Sequence, residues 1–308
     1  MHAKKLIGYY KNKENFLHTK EKVMRFYHYL CISFLLIFIY TITQTARKQK
    51  NITPSNALSK KYTILFDLPN VLIKEDQVGF SKKIGYGVLA SYTITHWKNP
   101  GHRCLDMLAT MSTHEEQKPH ITIMLNNRTL PRCLVELQEG KKTCAQVKTE
   151  IMQCIQQLDT QKYFSSIKEK NLMATIMDLV LDPEVTATII EPIKSTIQLA
   201  QKLKSAGHSI YIFANAPHEL HVALQSKYPE ILALFDGAVV SSHVKTVKPD
   251  PAIFNHLLTT YNLDPQNCIL IDALEDSVNA AKTLGMQGIV YDKTSNVISK
   301  LKKCGVKL

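Results

Sequence analysis

The sequence predicts an α/β fold built on a parallel sheet, and three observations carry the prediction. Three short apolar runs, Thr63–Phe66, 209–215 and 269–271, read as buried strands. Helical stretches lie close to them, and those at 194–206 and 276–284 stop at Gly207 and Gly285, the usual place for a helix end. Two of the strands run directly into a carboxylate, Asp67 after the first and Asp272 after the third. Strands alternating with helices imply right-handed crossovers, so all strand ends point to one edge, where open α/β sheets place their chemistry. Two carboxylates held close at that edge repel unless one is protonated or a cation lies between them. Oxygen-only donors with room for water suit Mg²⁺.

Taken in order, the chain begins with an uneven charge. The net charge is +12 over 308 residues, and residues 1–61 hold +10 of it, twelve Lys and Arg against Glu14 and Glu21. Such a surplus would suit nucleic acid. Here it flanks a hydrophobic segment and no nucleic-acid motif accompanies it, so no nucleic-acid partner is expected. After a basic segment at 1–25, residues 26–46 contain no Asp, Glu, Lys or Arg and offer no polar face. As a helix they would span roughly 30 Å, the thickness of a bilayer's hydrocarbon core. Tyr27, Tyr29 and Tyr40 lie towards its ends, where aromatic belts sit. The expectation is a transmembrane helix, a single-pass N-terminal anchor through which the chain meets the membrane. The alternative is secretion after signal cleavage with Met24 as the start, but Gln44 two places before Ala46 makes a poor cleavage site. Residues 47–61 are polar, carry Pro54 and read as a linker. The seven cysteines show no CxxC spacing and read as free thiols, which leans towards a reducing compartment.

From about 74 to 194 the strand-helix rhythm is lost. Helical stretches at 145–157 and 171–181, breaks at Asn99-Pro100-Gly101 and Leu130-Pro131, and a short strand at 121–125 describe a mainly helical cap over the strand-end edge. Asp182-Pro183 and Glu191-Pro192 each read as a helix start. Beyond the strand at 209–215 come a helix at 216–228, a fourth strand at Gly237–Val240 and then Lys248-Pro249-Asp250-Pro251. Asp250 is placed as an N-cap with Pro251 in the first helical position, which sets Lys248 at the same edge as the aspartates.

Asp67 after an apolar strand, a polar turn at Asn215, Lys248-Pro249 ahead of a helix, and Asp272 with Asp276 resemble, in order and spacing, the four motifs of the haloacid dehalogenase (HAD) superfamily. The resemblance covers about residues 62–292. It implies a Rossmann-like three-layer core from 62–73 and 195–308, with 74–194 as the cap. It also implies a phosphatase-type hydrolase in which Asp67 attacks phosphorus and forms an aspartyl-phosphate. Mg²⁺ would be held by Asp67, by Asp272 or Asp276, and by the backbone carbonyl of Pro69, while Lys248 would neutralise the phosphate. Asp276 has a second role open to it, as an acidic residue at its helix start. The substrate would be a phosphorylated small molecule or protein.

Two departures bear on this. Pro69 stands where the superfamily's phosphatases carry an aspartate that protonates the leaving group, and a general acid is worth about 10²–10⁴ in rate. Ala214 stands where a Ser or Thr binds the phosphoryl group, leaving backbone N–H groups and Asn215 to bind substrate. The sequence therefore supports a hydrolase that is slowed or specialised for good leaving groups. Its alternative is a catalytically inactive, membrane-tethered module that binds a ligand or protein.

Overall fold

β1 (Thr63–Phe66) forms the middle strand of the main sheet and opens into a turn at Asp67. The computed structural model describes residues 61–96, 99–113, 123–125 and 128–308. The expectations for 1–25, 26–46 and the linker lie outside these residues, as does part of the strand expected at 121–125. Among the described residues no helix is long and apolar enough to cross a membrane.

The chain leaves β1 through β2 (Ile73–Glu75). There follow α1 (Gln77–Ile84), α2 (Tyr86–His96) and α3 (Pro100–Thr113), then an antiparallel pair, β3 (Met124–Leu125) with β4 (Arg128–Thr129). Next come α4 (Arg132–Gln138), α5 (Cys144–Thr160), α6 (Ile167–Val180) and α7 (Pro183–Ile189). The helix starts are those the local sequence dictates. Thr143 and Gln146 form a reciprocal capping box, Ser166 caps α6, and Asp182 caps α7 ahead of Pro183. These helices share a core of their own, including Leu134, Val147, Ile151, Met173 and Ile176. Arg103 reinforces it with a 2.7 Å ion pair to Glu169, a residue only 2% exposed.

The insertion returns through β5 (Ile190–Pro192), which pairs antiparallel with β2. Glu191-Pro192 therefore does not start a helix. Pro192 faces Ile73 at the end of a strand, and the next helix, α8 (Lys194–Ser205), begins two residues later. Entry and exit strands thus form one rung-like joint between insertion and core. The Lys74–Glu191 ion pair across it is about half exposed on each side and adds little.

The rest of the chain completes the α/β unit. In order it supplies β6 (Ser209–Ala214), α9 (His218–Lys227), α10 (Pro229–Leu232), β7 (Gly237–Val240), α11 (Ser241–Val244), α12 (Pro251–Thr260), β8 (Cys268–Asp272), α13 (Glu275–Thr283), β9 (Gln287–Val290) and α14 (Thr294–Lys303). The main sheet is wholly parallel in the order β7-β6-β1-β8-β9. Alternation along the strands feeds two cores. Ile64, Phe66, Ile212 and Ile271 face α8 and α14 through Leu199, Leu203, Val297 and Leu301. Leu65, Phe213 and Leu270 face α12 through Ile253, Phe254 and Leu257. The result is a three-layer α/β unit. Its direction of growth reverses between β1 and β8, and such a switch point is where open sheets leave a crevice at their carboxyl ends. The described cysteines are all free thiols.

One half-buried carboxyl sits at the joint. Glu75 ends β2 and lines a largely apolar cavity with Val180, Ile189, Pro217 and Leu220. Burial pushes its carboxyl from an ordinary 4.5 up to about 8. The folded protein then holds a proton there that the unfolded chain has already released, so this group makes stability fall as pH rises from about 4.5 to about 8. Glu75→Gln keeps the shape without the charge. It is expected to be more stable than the parent at pH 8 by on the order of 1 kcal/mol, with the gap closing at pH 5. Urea unfolding at the two pH values checks this, and an equal gap at both would refute it.

Candidate active site

The parallel register decides which residues meet. Phe66 pairs with Ile271 on one side and Ile212 on the other, so the next residue of each strand, Asp67, Asp272 and Phe213, falls at one level of the sheet edge. The Asp67 amide extends the ladder by donating to Ile271 O at 3.0 Å. The turn that follows winds around the Leu68 carbonyl, which accepts from Val71, Leu72 and Ile73. Asn70 takes the positive φ of 59° that this turn needs, a conformation Asn tolerates better than most residues.

Into this edge reaches Lys248. Its side chain is 1% exposed, and its ammonium donates to three oxygens: Asp67 Oδ1 at 3.0 Å, Asp272 Oδ2 at 2.6 Å and Phe213 O at 2.7 Å. That accounts for all three of its protons. Asp67 and Asp272 are 5% and 0% exposed. Asp272 Oδ1 accepts from the Leu274 amide at 2.8 Å, which fixes that carboxylate from its other side. Burial and the nearby Asp272 push Asp67 from 3.8 up to about 7, against the opposing pull of Lys248. Burial alone would lower the Lys248 pKa, but the two carboxylates outweigh it and raise it. With both aspartates ionised the cluster carries one negative charge in excess.

Asn215, expected as a substrate ligand, holds the Lys248 backbone in this structure. Its amide is committed to the Lys248 backbone, donating to Lys248 O and accepting from Lys248 N, both at 2.8 Å. It therefore holds the lysine loop against the end of β6. Ala214 is fully buried at that strand's last position and offers only a methyl group. Asp276 does not join the buried pair. It is exposed in the first turn of α13, where a carboxylate favours the helix N-terminus. Among the described residues no three His, Cys, Asp or Glu side chains gather as a metal cage.

Mg²⁺ does not require such a cage, since one or two carboxylates with water and substrate oxygens suffice. The donors at the edge meet that need. Asp67 and Asp272 bring the excess negative charge. Pro69 is buried, and its carbonyl accepts no hydrogen bond from any described residue. Two carboxylates, with a backbone carbonyl two residues beyond the first of them, supply oxygen donors of the kind the ion takes.

Sequence reasoning missed several supports of this site. The Phe213 carbonyl and Ser241 carry no local signal. Ser241 Oγ accepts from the Ala216 amide at 3.0 Å and donates to Gln138 O at 2.5 Å, which ties the insertion to the strand edge. Only the folded register brings them there.

A carboxylate at the switch point of a parallel sheet, bridged by a buried lysine to a second carboxylate, places the candidate chemistry where α/β proteins hold it. The chain belongs to the haloacid dehalogenase-like hydrolases, whose family model matches residues 132–291, just over half of its length. It is 27% identical over 110 residues to the bifunctional epoxide hydrolase 2 of Mus musculus, a match covering 35% of this chain and 20% of that protein. The chain thus spans about a fifth of that relative's length. Among solved structures, a dehalogenase in an intermediate complex superposes with a TM-score of 0.50 at 13% identity, over 82% of this chain and 100% of the other. A HAD-family enzyme of Bacteroides thetaiotaomicron, solved with magnesium and inorganic phosphate, gives 0.44 at 16% identity over 77% and 99%. At 13% identity the likeness to the dehalogenase is one of fold alone.

Proposed function

We propose that the chain hydrolyses phosphate esters with good leaving groups, using Asp67 as nucleophile and Mg²⁺ as cofactor. The observation that carries this reading is the Lys248 bridge between Asp67 and Asp272. It holds Asp67 Oδ1 in place, so that the attack would fall to Oδ2. A bound Mg²⁺ ion, held by Asp67, Asp272 and the Pro69 carbonyl, would offset the negative charge of the phosphate oxygens. Asp67 Oδ2 forms a bond to phosphorus, the ester P–O bond breaks, and the leaving group departs with the electron pair. Water then releases phosphate and restores the carboxylate. Lys248 remains beside Asp67 throughout, a fixed positive charge against which the negative charge develops.

Pro69 has no proton to give, so the leaving group must depart as an anion. This predicts strong selectivity. An activated aryl phosphate should be turned over about 10²–10⁴ times faster than an alkyl phosphate by the full chain in detergent with Mg²⁺, and chelation should abolish the activity. Initial rates on the two esters, with and without chelator, test it. The second reading, a non-catalytic module that binds a phosphorylated ligand or protein, draws on Ala214, which brings no hydroxyl, and on Asn215, whose side chain is already engaged in holding the Lys248 backbone. A folded protein without Mg²⁺-dependent turnover of the aryl ester would favour it. Membrane attachment through 26–46 belongs to the same proposal and would set either activity at a bilayer surface.

A further inference from the structure

A cluster of three histidines follows the ends of β6 and β7. His218 and His221 stand three residues apart on α9, on one face of the helix. His243 lies on α11. These helices follow β6 and β7, whose last residues, Ala214 and Val240, are paired, so the histidines meet across the sheet edge. His218 Nδ1 and His243 Nε2 share a hydrogen bond of 3.3 Å, either ring able to donate, with the rings inclined at 59°; a cation between them would replace that shared proton. His221 packs edge-on against His243 at 4.9 Å between ring centroids. It is 8% exposed, and its Nδ1 has no hydrogen-bond partner among the described residues.

We propose that His218 Nδ1 and His243 Nε2 chelate a late first-row divalent cation, Zn²⁺ foremost. Two imidazole nitrogens at about 2.0–2.1 Å from a tetrahedral ion lie about 3.4 Å from each other, close to the separation found. Both rings are exposed, so the ion reaches them from solvent. Imidazole donors select Zn²⁺, Co²⁺, Ni²⁺ or Cu²⁺ over Mg²⁺, which separates this site chemically from the oxygen donors around Asp67. No third imidazole, thiol or carboxylate completes a ligand set among the described residues, so the other positions fall to water or a small ligand. The ion would join the two helices that support the insertion. Glu219 on α9 accepts from the Cys144 amide at 3.0 Å, and Lys245, just past α11, donates to Gly140 O at 2.6 Å.

Cobalt titration of the full chain, without a histidine tag, tests the proposal. One equivalent of Co²⁺ should bind with a visible d–d absorption that Zn²⁺ displaces, and Zn²⁺ should raise Tm. His218→Gln/His243→Gln should weaken Co²⁺ binding at least tenfold and remove the Zn²⁺-induced rise in Tm. His256→Gln, on the exposed side of α12, should change neither. Melting curves without metal establish that the double variant is folded. Absence of stoichiometric binding, or equal binding by parent and double variant, would overturn the proposal.

Discussion

Asp67→Asn is expected to reduce turnover of an aryl phosphate by at least about 10³-fold while leaving the protein no less stable at pH 8. The loss of rate follows from the nucleophile, because an amide oxygen does not form the acyl-phosphate bond. The retained stability follows from the charge count. In the parent, two buried carboxylates share one lysine, and burial with the proximity of Asp272 holds Asp67 near 7. Ionising Asp67 therefore works against folding over the range from about 3.8 to about 7, in which the unfolded carboxyl has already lost its proton. Asparagine removes that charge, keeps the volume and leaves Lys248 in a balanced pair with Asp272. Rate measurements beside urea unfolding at pH 8 check both halves. A variant that is inactive and also strongly destabilised would make Asp67 a structural residue.

The parallel sheet was legible because its inner strands leave no doubt about burial. Apolar runs such as 63–66 and 269–271 fit only a strand covered on both faces, and glycines mark where the intervening helices end. The two aspartates were legible as a pair: one carboxylate at a strand end reads as readily as a turn cap, but the same apolar run into an aspartate occurs twice, at Asp67 and Asp272. What stayed hidden depends on contacts between distant residues. Nothing local says that Lys248 is buried, since a lone lysine is ordinarily at the surface. Its burial follows from the partners that Asp67, Phe213 and Asp272 supply once the strands align. The same holds for Asn215, which reads as a polar turn residue and proves to clamp the lysine's backbone. Glu191-Pro192 reads as a helix start because proline favours that position, yet pairing with Ile73 sets it in a strand. Asp276 has the spacing of a ligand, but the helix start turns it to solvent.

Lys248→Met should be the most destabilising single change in the core, by about 3–5 kcal/mol or a fall in Tm of about 10 °C, and its activity should be lost with it. Methionine reproduces the four-atom stem and lacks only the ammonium, so most of the packing is preserved and the effect reports chiefly on the charge. Without the ammonium, Asp67 and Asp272 face each other unscreened, and the folded state takes up a proton that the unfolded chain does not hold at neutral pH. The sign of the pH dependence follows. Protonation relieves the repulsion, so the deficit relative to the parent should be largest at pH 8 and shrink towards pH 5. Adding Asp67→Asn should recover much of the lost stability at pH 8, because a single carboxylate then remains where two had repelled, while activity stays absent. A double-mutant cycle read by urea unfolding at both pH values measures the coupling. Additive losses, with no recovery in the double variant, would mean that Lys248 stabilises the fold through its Phe213 contact rather than by holding the two carboxylates together.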